Sequence, residues 1–404
     1  MPMQYRPTQA VVDLDALRAN YEAFRLHLEA STLLLACVKA NAYGHGAVEV
    51  SRELERLGAD YLSVAFLDEA LELREAGIVM PILVLGYTPP EGLAIARDRE
   101  ITVALFSDEV LEAARHLGRS PSGSRLKVHV KVDSGMGRLG RMAGPDATDF
   151  VKRALEADGI EVEGLFTHFA RADEADKAYT VIQYEAFRGT TDALAQEGIE
   201  IPLIHTGNSA AAIDTPGFSP KMVRIGISLY GFYPSREVNR TAVALKPVLT
   251  LKTRAVFVKT LPRAMGISYG SLYTAEAGER IATLPIGYAD GYSRMLGGKA
   301  EVLIRGRRVP VAGTICMDQC MVSLKSFADA EDIQEGEEVV LLGSQSGEVI
   351  SADEIAAKLG TIHYEVVCML ANRVPRIYTR TGVVIAELNP LLHENPNRFR
   401  VLSE

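Results

Sequence analysis

The sequence predicts an α/β protein: a (β/α)8 barrel of the TIM type, followed by a mostly β C-terminal domain. Eight short apolar runs alternate with amphipathic segments in the first part of the chain, the pattern of a parallel sheet wrapped in helices. After Leu245-Lys246-Pro247 the pattern changes to short β-branched runs separated by Gly, Pro and charged turns. The nearest thing to a glycine-rich loop after the first run is Gly44-His45-Gly46, which lacks the GxGxxG spacing of a doubly wound open sheet.

Taken in order, the first residues are extended and broken by prolines, and Asp13 caps a helix over 15–28. The expected barrel strands are 33–38, 61–65, 82–85, 101–105, 127–132, 164–167, 202–205 and 223–228. Helical periodicity fills the gaps at 47–57, 68–76, 91–98, 108–117, 145–157 and 177–196, with a short helix at 209–213. The barrel is expected over 13–246 and the β domain over 247–385, with 386–404 as a loosely docked tail. Within the β domain the expected strands are 248–259, 279–284, 301–304, 308–312, 321–324, 338–342 and 374–379. One helix, 352–359, is expected there, with Ser351 and Glu354 forming a capping box.

Composition narrows the function. The chain has 404 residues, enough for two large cores, and its 24% charged and 48% hydrophobic residues are ordinary for a globular protein. A net charge of −9 argues against nucleic acid as a partner. No apolar run reaches membrane-span length, and the N-terminus lacks signal-peptide features, so a cytoplasmic location is expected. Cys37, Cys316, Cys320 and Cys368 lack the spacing of a zinc site, so reduced thiols and no metal are expected.

Chemistry in such barrels collects at the C-terminal ends of the strands. The polar residues expected on that rim are Lys39, Lys131 with Arg138, His168, Asn208 with Ser209, and Arg224 with Gly226. A lysine ending a buried strand either reaches solvent or, desolvated, becomes a usable base or imine-forming amine. The loops after strands seven and eight commonly hold phosphate, although Asn208-Ser209 alone also reads as an ordinary N-cap. A lysine beside a phosphate site suggests pyridoxal phosphate held as a Schiff base on Lys39. Arg224 would then face the pyridine nitrogen, and because arginine keeps its proton that nitrogen would stay unprotonated. In the β domain, Tyr269 and the Gly287–Tyr292 run offer tyrosines that are acid–base groups or packed turn aromatics; the Cys316-Met317-Asp318-Gln319 run and Tyr364, read alone, are likewise a turn and a packed aromatic.

Together these motifs resemble the pyridoxal-phosphate-dependent alanine racemases over essentially the whole chain. The residues carrying the likeness are Val38-Lys39-Ala40-Asn41-Ala42-Tyr43-Gly44-His45-Gly46, Lys131–Gly140, Thr167-His168-Phe169-Ala170, Asn208-Ser209-Ala210, Arg224–Ile227, Ser268-Tyr269-Gly270, Gly287–Gly291 and Cys316-Met317-Asp318-Gln319. The resemblance implies a homodimer acting on alanine, with active sites shared between chains. Lys39 would carry the cofactor and serve one face of the substrate, and Tyr269 from the other chain would serve the opposite face. Tyr43, Ser209, Gly226, Ile227 and Tyr364 would hold the phosphate, His168 would support Arg224, and Arg138 with the other chain's Met317 would meet the substrate carboxylate. Lys131 matches a lysine that is carbamylated in some members. Residues 1–12 would join the β domain, and the product would supply D-alanine for peptidoglycan. One departure is Thr314, where many members carry arginine, so the entrance is expected to be less basic. The other readings are a serine or broad-specificity racemase, a related decarboxylase, and a non-catalytic pyridoxal-phosphate-binding protein. The Ser-Tyr-Gly motif and Met317 of the β domain favour the enzyme over the last of these.

Overall fold

The structure, a computed structural model, describes residues 5–219, 221–327, 333–392 and 400–401. Residues 1–4 of the expected N-terminal extension, and 393–399 and 402–404 of the expected tail, lie outside the described residues. The chain divides into two compact units. One comprises Ala16–Ala42 and Ala47–Lys246; the other takes residues from Met1–Asp15, Tyr43–Gly46 and the chain from Pro247 onward.

The first unit is a closed barrel. Its parallel strands are Leu33–Cys37, Tyr61–Val64, Ile82–Val84, Ile101–Leu105, Leu126–Asp133, Ile160–Phe166, Leu203–His205 and Met222–Ile225. Each pairs with the next, and Val223 opposite Leu34 closes the ring between the last and first strands. Near-continuous burial along the first four strands fits a parallel sheet covered on its outer face by helices. The fifth strand is the exception in composition. It alternates valine with Lys127, His129, Lys131 and Asp133, which puts a row of polar side chains on one face. Gly164 on the sixth strand makes room for one of them: a Cβ there would lie 2.6 Å from the His129 ring.

Sequence expectation and structure differ in a few places. The eighth strand ends at Ile225 rather than Ser228, because the chain turns into a 3₁₀ segment, Ile227–Tyr230, closed by left-handed Gly231. The run 248–259 is two strands, Leu249–Arg254 and Phe257–Thr260, which pair with different sheets. At Ser351 the expected capping box is half formed. Its hydroxyl accepts from the Glu354 amide at 3.1 Å, but the Glu354 carboxylate faces Arg308 and Lys358. A second short helix, His363–Cys368, was not expected.

In the second unit, the strand Gln9–Asp13 pairs antiparallel with Leu249–Arg254 and parallel with Arg376–Arg380. The segment Tyr43–Gly46 packs here at close range. A Cβ on Gly44 (φ +83°) would lie 2.1 Å from the Val367 carbonyl oxygen, and the Arg376 guanidinium donates twice to the Gly44 carbonyl at 3.2 Å. Gly44→Ala therefore combines backbone strain with an immovable backbone clash. Gly58→Ala, at φ +79° with open space around it, carries the strain alone. Thermal denaturation should show Gly58→Ala losing about 1 kcal/mol and Gly44→Ala about 3 kcal/mol or more; equal losses would refute the close approach.

Candidate active site

Lys39 lies just past the first barrel strand, Leu33–Cys37, separated from it by Val38 alone, and is half-buried. The backbone after it is unusual. Ala40, Asn41, Ala42 and Tyr43 all have φ between 51° and 54°, a left-handed turn in which the Ala42 amide bonds the Val38 carbonyl at 2.8 Å. Two side chains hold it open: Glu69 accepts the Ala40 amide at 2.7 Å, and Asn41 Oδ1 accepts the Ala47 amide at 2.8 Å. Nothing in the strand pattern signalled this reversal of hand.

Arg224 is only 3% exposed and bonds at both ends of its guanidinium. Nη1 donates to His205 Nδ1 at 2.9 Å. Nη2 is shared among the Thr167 carbonyl at 2.9 Å, the Thr206 carbonyl at 2.9 Å and His168 Nδ1 at 3.2 Å. Its Nε–H donates to no group among the described residues. Burial pushes the guanidinium down to about 10, so it remains a cation at neutral pH. His168 and His205 are both held well below the usual histidine range, by burial first and then by the Arg224 charge. Both rings are neutral acceptors toward Arg224.

Lys131 is buried, its Nζ 4.2 Å from the centre of the Phe166 ring. Burial, followed by the Arg224 and Arg138 charges, lowers its pKa far below that of an ordinary lysine. A lowered pKa favours the neutral, nucleophilic form of the amine. Asp133 anchors the loop beyond. Oδ1 accepts the amides of Gly135, Met136 and Gly137 at 2.9, 2.9 and 3.1 Å, and Oδ2 accepts that of Arg138 at 3.2 Å. Burial pushes this carboxyl up, but the amides outweigh it and the net shift is downward. The Arg138 side chain is exposed.

The loops after strands seven and eight meet through Ser209, whose hydroxyl accepts the Gly226 amide at 2.9 Å. Asn208 is the N-cap of Ser209–Asp214, its Oδ1 accepting the Ala211 amide at 3.1 Å. The amides of Ser209, Ala210 and Ile227 donate to no group among the described residues, leaving an anion-binding set of donors.

In the second unit, Tyr269 is 69% exposed at the tip of a strained turn with Ser268 at φ 64°, Gly270 at 73° and Ser271 at 49°. Thr314 holds that turn. Its hydroxyl donates to the Tyr269 carbonyl at 2.9 Å, and its own carbonyl accepts from Ser268 Oγ at 2.5 Å. Thr314 is buried, and through these two bonds it clamps the turn. Met317 is exposed, and its carbonyl accepts the Ala289 amide at 3.0 Å. Beneath both runs sits the fully buried Asp290, taking Arg6 Nη1 and Arg373 Nε at 2.7 Å each and the Gly287 amide at 2.9 Å. Tyr43 and Tyr364 face each other, ring centres 6.4 Å apart.

Sequence reasoning passed over His129, His205 and Glu163. His129 Nδ1 lies 2.9 Å from His205 Nε2, and its Nε2 lies 3.1 Å from Glu163 Oε2. Glu163 also accepts from Tyr61 at 2.6 Å. The legible signal was period-two polarity in a strand that should be apolar, next to a strand carrying Gly164.

Comparison with known proteins gives one answer. A family profile described as "Alanine racemase, N-terminal domain" matches residues 12–234, and one described as "Alanine racemase, C-terminal domain" matches 248–378. An alanine racemase of Clostridium perfringens is 43% identical over 96% of this chain and 100% of its own length. Alanine racemase 2 of Bacillus subtilis is 45% identical over 95% of this chain and 97% of its own. Among solved structures, the alanine racemase of Bacillus anthracis with bound L-Ala-P shares 40% identity at a TM-score of 0.90, covering 97% of this chain and 99% of its own.

Asp290 supplies a stability test. Its carboxyl is pushed up by burial but lowered on balance by Arg6, the Gly287 amide and Arg373. A depressed carboxylate stabilises the fold above its unfolded pKa of about 4, and that contribution is lost as pH falls below it. Asp290→Asn should cost about 2–4 kcal/mol at pH 7, with the gap to wild type narrowing toward pH 3. Equal melting temperatures at pH 7 would sink the assignment.

Proposed function

The chain belongs to the alanine racemase family and is a racemase, and from that premise we propose that it interconverts L- and D-alanine with pyridoxal phosphate, using Lys39 and a partner subunit's Tyr269. The observation that carries the reading is Arg224. It is a buried, donor-only cation with an unspent Nε–H, a fit for the unprotonated nitrogen of a pyridine ring. The donor set fits the rest of the cofactor: an amine at Lys39 for the aldehyde, and the Ser209 hydroxyl with the amides of Ser209, Ala210 and Ile227 for the phosphate. Asn208 supports this loop as its N-cap, Gly226 ties Ser209 in place, and Tyr43 and Tyr364 are the phosphate-binding tyrosines.

When bound, the cofactor supplies an electron sink that acidifies the substrate's α-proton. Lys39 holds the cofactor and moves the proton on one face. The partner subunit's Tyr269, free of packing at its ring, moves it on the other. Arg224, kept charged and supported by His168, leaves the pyridine nitrogen without a proton and so disfavours transamination. Arg138 and the partner subunit's Met317 orient the substrate carboxylate. Exposed Tyr269, Leu272 and Met317 support a homodimer that covers them. Supply of D-alanine to a cell wall is the use we assign.

Three experiments test this. Lys39→Ala and Tyr269→Phe variants should each be nearly inactive, while mixed dimers regain about a quarter of wild-type activity, since half the dimers are mixed and one of their two sites is intact. No recovery after subunit exchange would place both bases in one chain. The low pKa of Lys131 supports attack of its free amine on carbon dioxide, releasing a proton and leaving a carbamate to face Arg138. A carbon-13 carbamate signal from labelled carbon dioxide should appear and vanish in Lys131→Arg; its persistence there would assign it elsewhere. Comparing kcat/KM for alanine and serine fixes substrate breadth.

A further inference from the structure

The chain of contacts behind Arg224 runs Arg224–His205–His129–Glu163, at 2.9, 2.9 and 3.1 Å, buried as far as His129 and half-buried at Glu163. It draws one residue each from the eighth, seventh, fifth and sixth strands. His129 and His205 are both fully buried, so no solvent completes their hydrogen bonds. The ends of the chain are chemically unlike: arginine can only donate and a carboxylate can only accept. That asymmetry determines every proton between them. Since Arg224 donates to His205 Nδ1, that nitrogen is bare and the ring's proton sits on Nε2. This Nε2–H donates to His129 Nδ1, so the His129 proton is likewise on Nε2, and it is given to Glu163 Oε2.

The opposite order fails at both ends. It would set a His205 N–H against an Arg224 N–H, and a bare His129 nitrogen against a carboxylate, in both cases at ring nitrogens that water does not reach. Tyr61 and Lys127 keep Glu163 in its accepting, ionised form: Tyr61 donates to it at 2.6 Å, and Lys127 Nζ lies 3.5 Å away. Burial alone would raise the Glu163 pKa, but its hydrogen bonds from His129 and Tyr61 bring it down to about 2.

We propose that Glu163 is a positioning residue for Arg224: by fixing the tautomers of His129 and His205 from the far end of this relay, it holds the guanidinium in the orientation that leaves its Nε–H directed to ligand. The effect on turnover rests on the cofactor reading above; the tautomer assignment does not.

Nitrogen-15 spectra of the full-length protein labelled at histidine test both. In wild type, His129 and His205 should each show a bare Nδ1 and a protonated Nε2, unchanged from pH 6 to 9. A proton on Nδ1 of either ring overturns the proposal whatever the enzyme's activity. Glu163→Gln keeps an acceptor oxygen and should retain both tautomers and near wild-type kcat. Glu163→Leu removes the acceptor and leaves the His129 Nε2–H unpaired; the relay can then reverse, with Arg224 turning away from His205, so the tautomers of both rings should mix and kcat should fall roughly ten- to a hundredfold with little change in KM. If it does not fold, Glu163→Asp, which withdraws the carboxylate by one methylene, should show the same changes in milder form. Tyr61→Phe removes one of the bonds that lower the Glu163 carboxyl but leaves the His129 contact in place, so it should keep both tautomers at neutral pH and lose less kcat than Glu163→Leu. Loss of activity with unchanged tautomers, changed tautomers with full activity, or equal losses in Tyr61→Phe and Glu163→Leu would each overturn the proposal.

Discussion

A permanently charged guanidinium closed inside a barrel is the constraint from which the rest of the first unit follows. Arg224 cannot shed its proton at any physiological pH, so its desolvation must be offset by acceptors placed around it. Thr167 and Thr206 provide carbonyls at strand ends, and His168 and His205 provide ring nitrogens kept neutral by burial and then by the same charge. The barrel interior gives up apolar packing to do this. The row Lys127, His129, Lys131, Asp133 is polar in a strand flanked by buried valines, and Gly164 yields the volume that one imidazole occupies. The result is an arginine held from behind and open on one edge.

The second unit solves a different problem, that of presenting an exposed tyrosine rigidly. Its turn is strained at Ser268 and Ser271, and strained backbone persists only where neighbours determine it. Thr314 and Ser268 supply that determination by bonding main-chain carbonyls, not the ring itself. Asp290 steadies the glycine-rich run whose amides meet the carbonyls of Cys316 and Met317.

Much of this was legible in the sequence because the relevant signals are local. Alternation of apolar runs with helical periodicity located all eight barrel strands, and the rim residues followed from strand ends. What was missed depends on distant partners. Val248–Lys259 reads as one β-branched run, yet its halves belong to different sheets, because Thr253 and Val258 meet different neighbours. Glu354 has the spacing of a capping residue, but Arg308 offers it a charged partner that a backbone amide cannot match. His129 and Glu163 became visible as a pair only once the barrel closed. Tyr269 and Met317 were singled out only by the likeness to a family; as isolated residues they read equally well as a turn aromatic and a surface methionine.

The turn after Lys39 has a further consequence. Ala40 and Ala42 lie near φ and ψ of 51°, the mirror of what an L-amino acid prefers. A D-alanine at either place would sit in its natural well, while its L counterpart is held about 1–2 kcal/mol per residue above its own. Chemical ligation of a chain with D-alanine at 40 and 42 would thus relax the segment without altering its atoms. The hand of these two stereocentres is where this segment stores its tension.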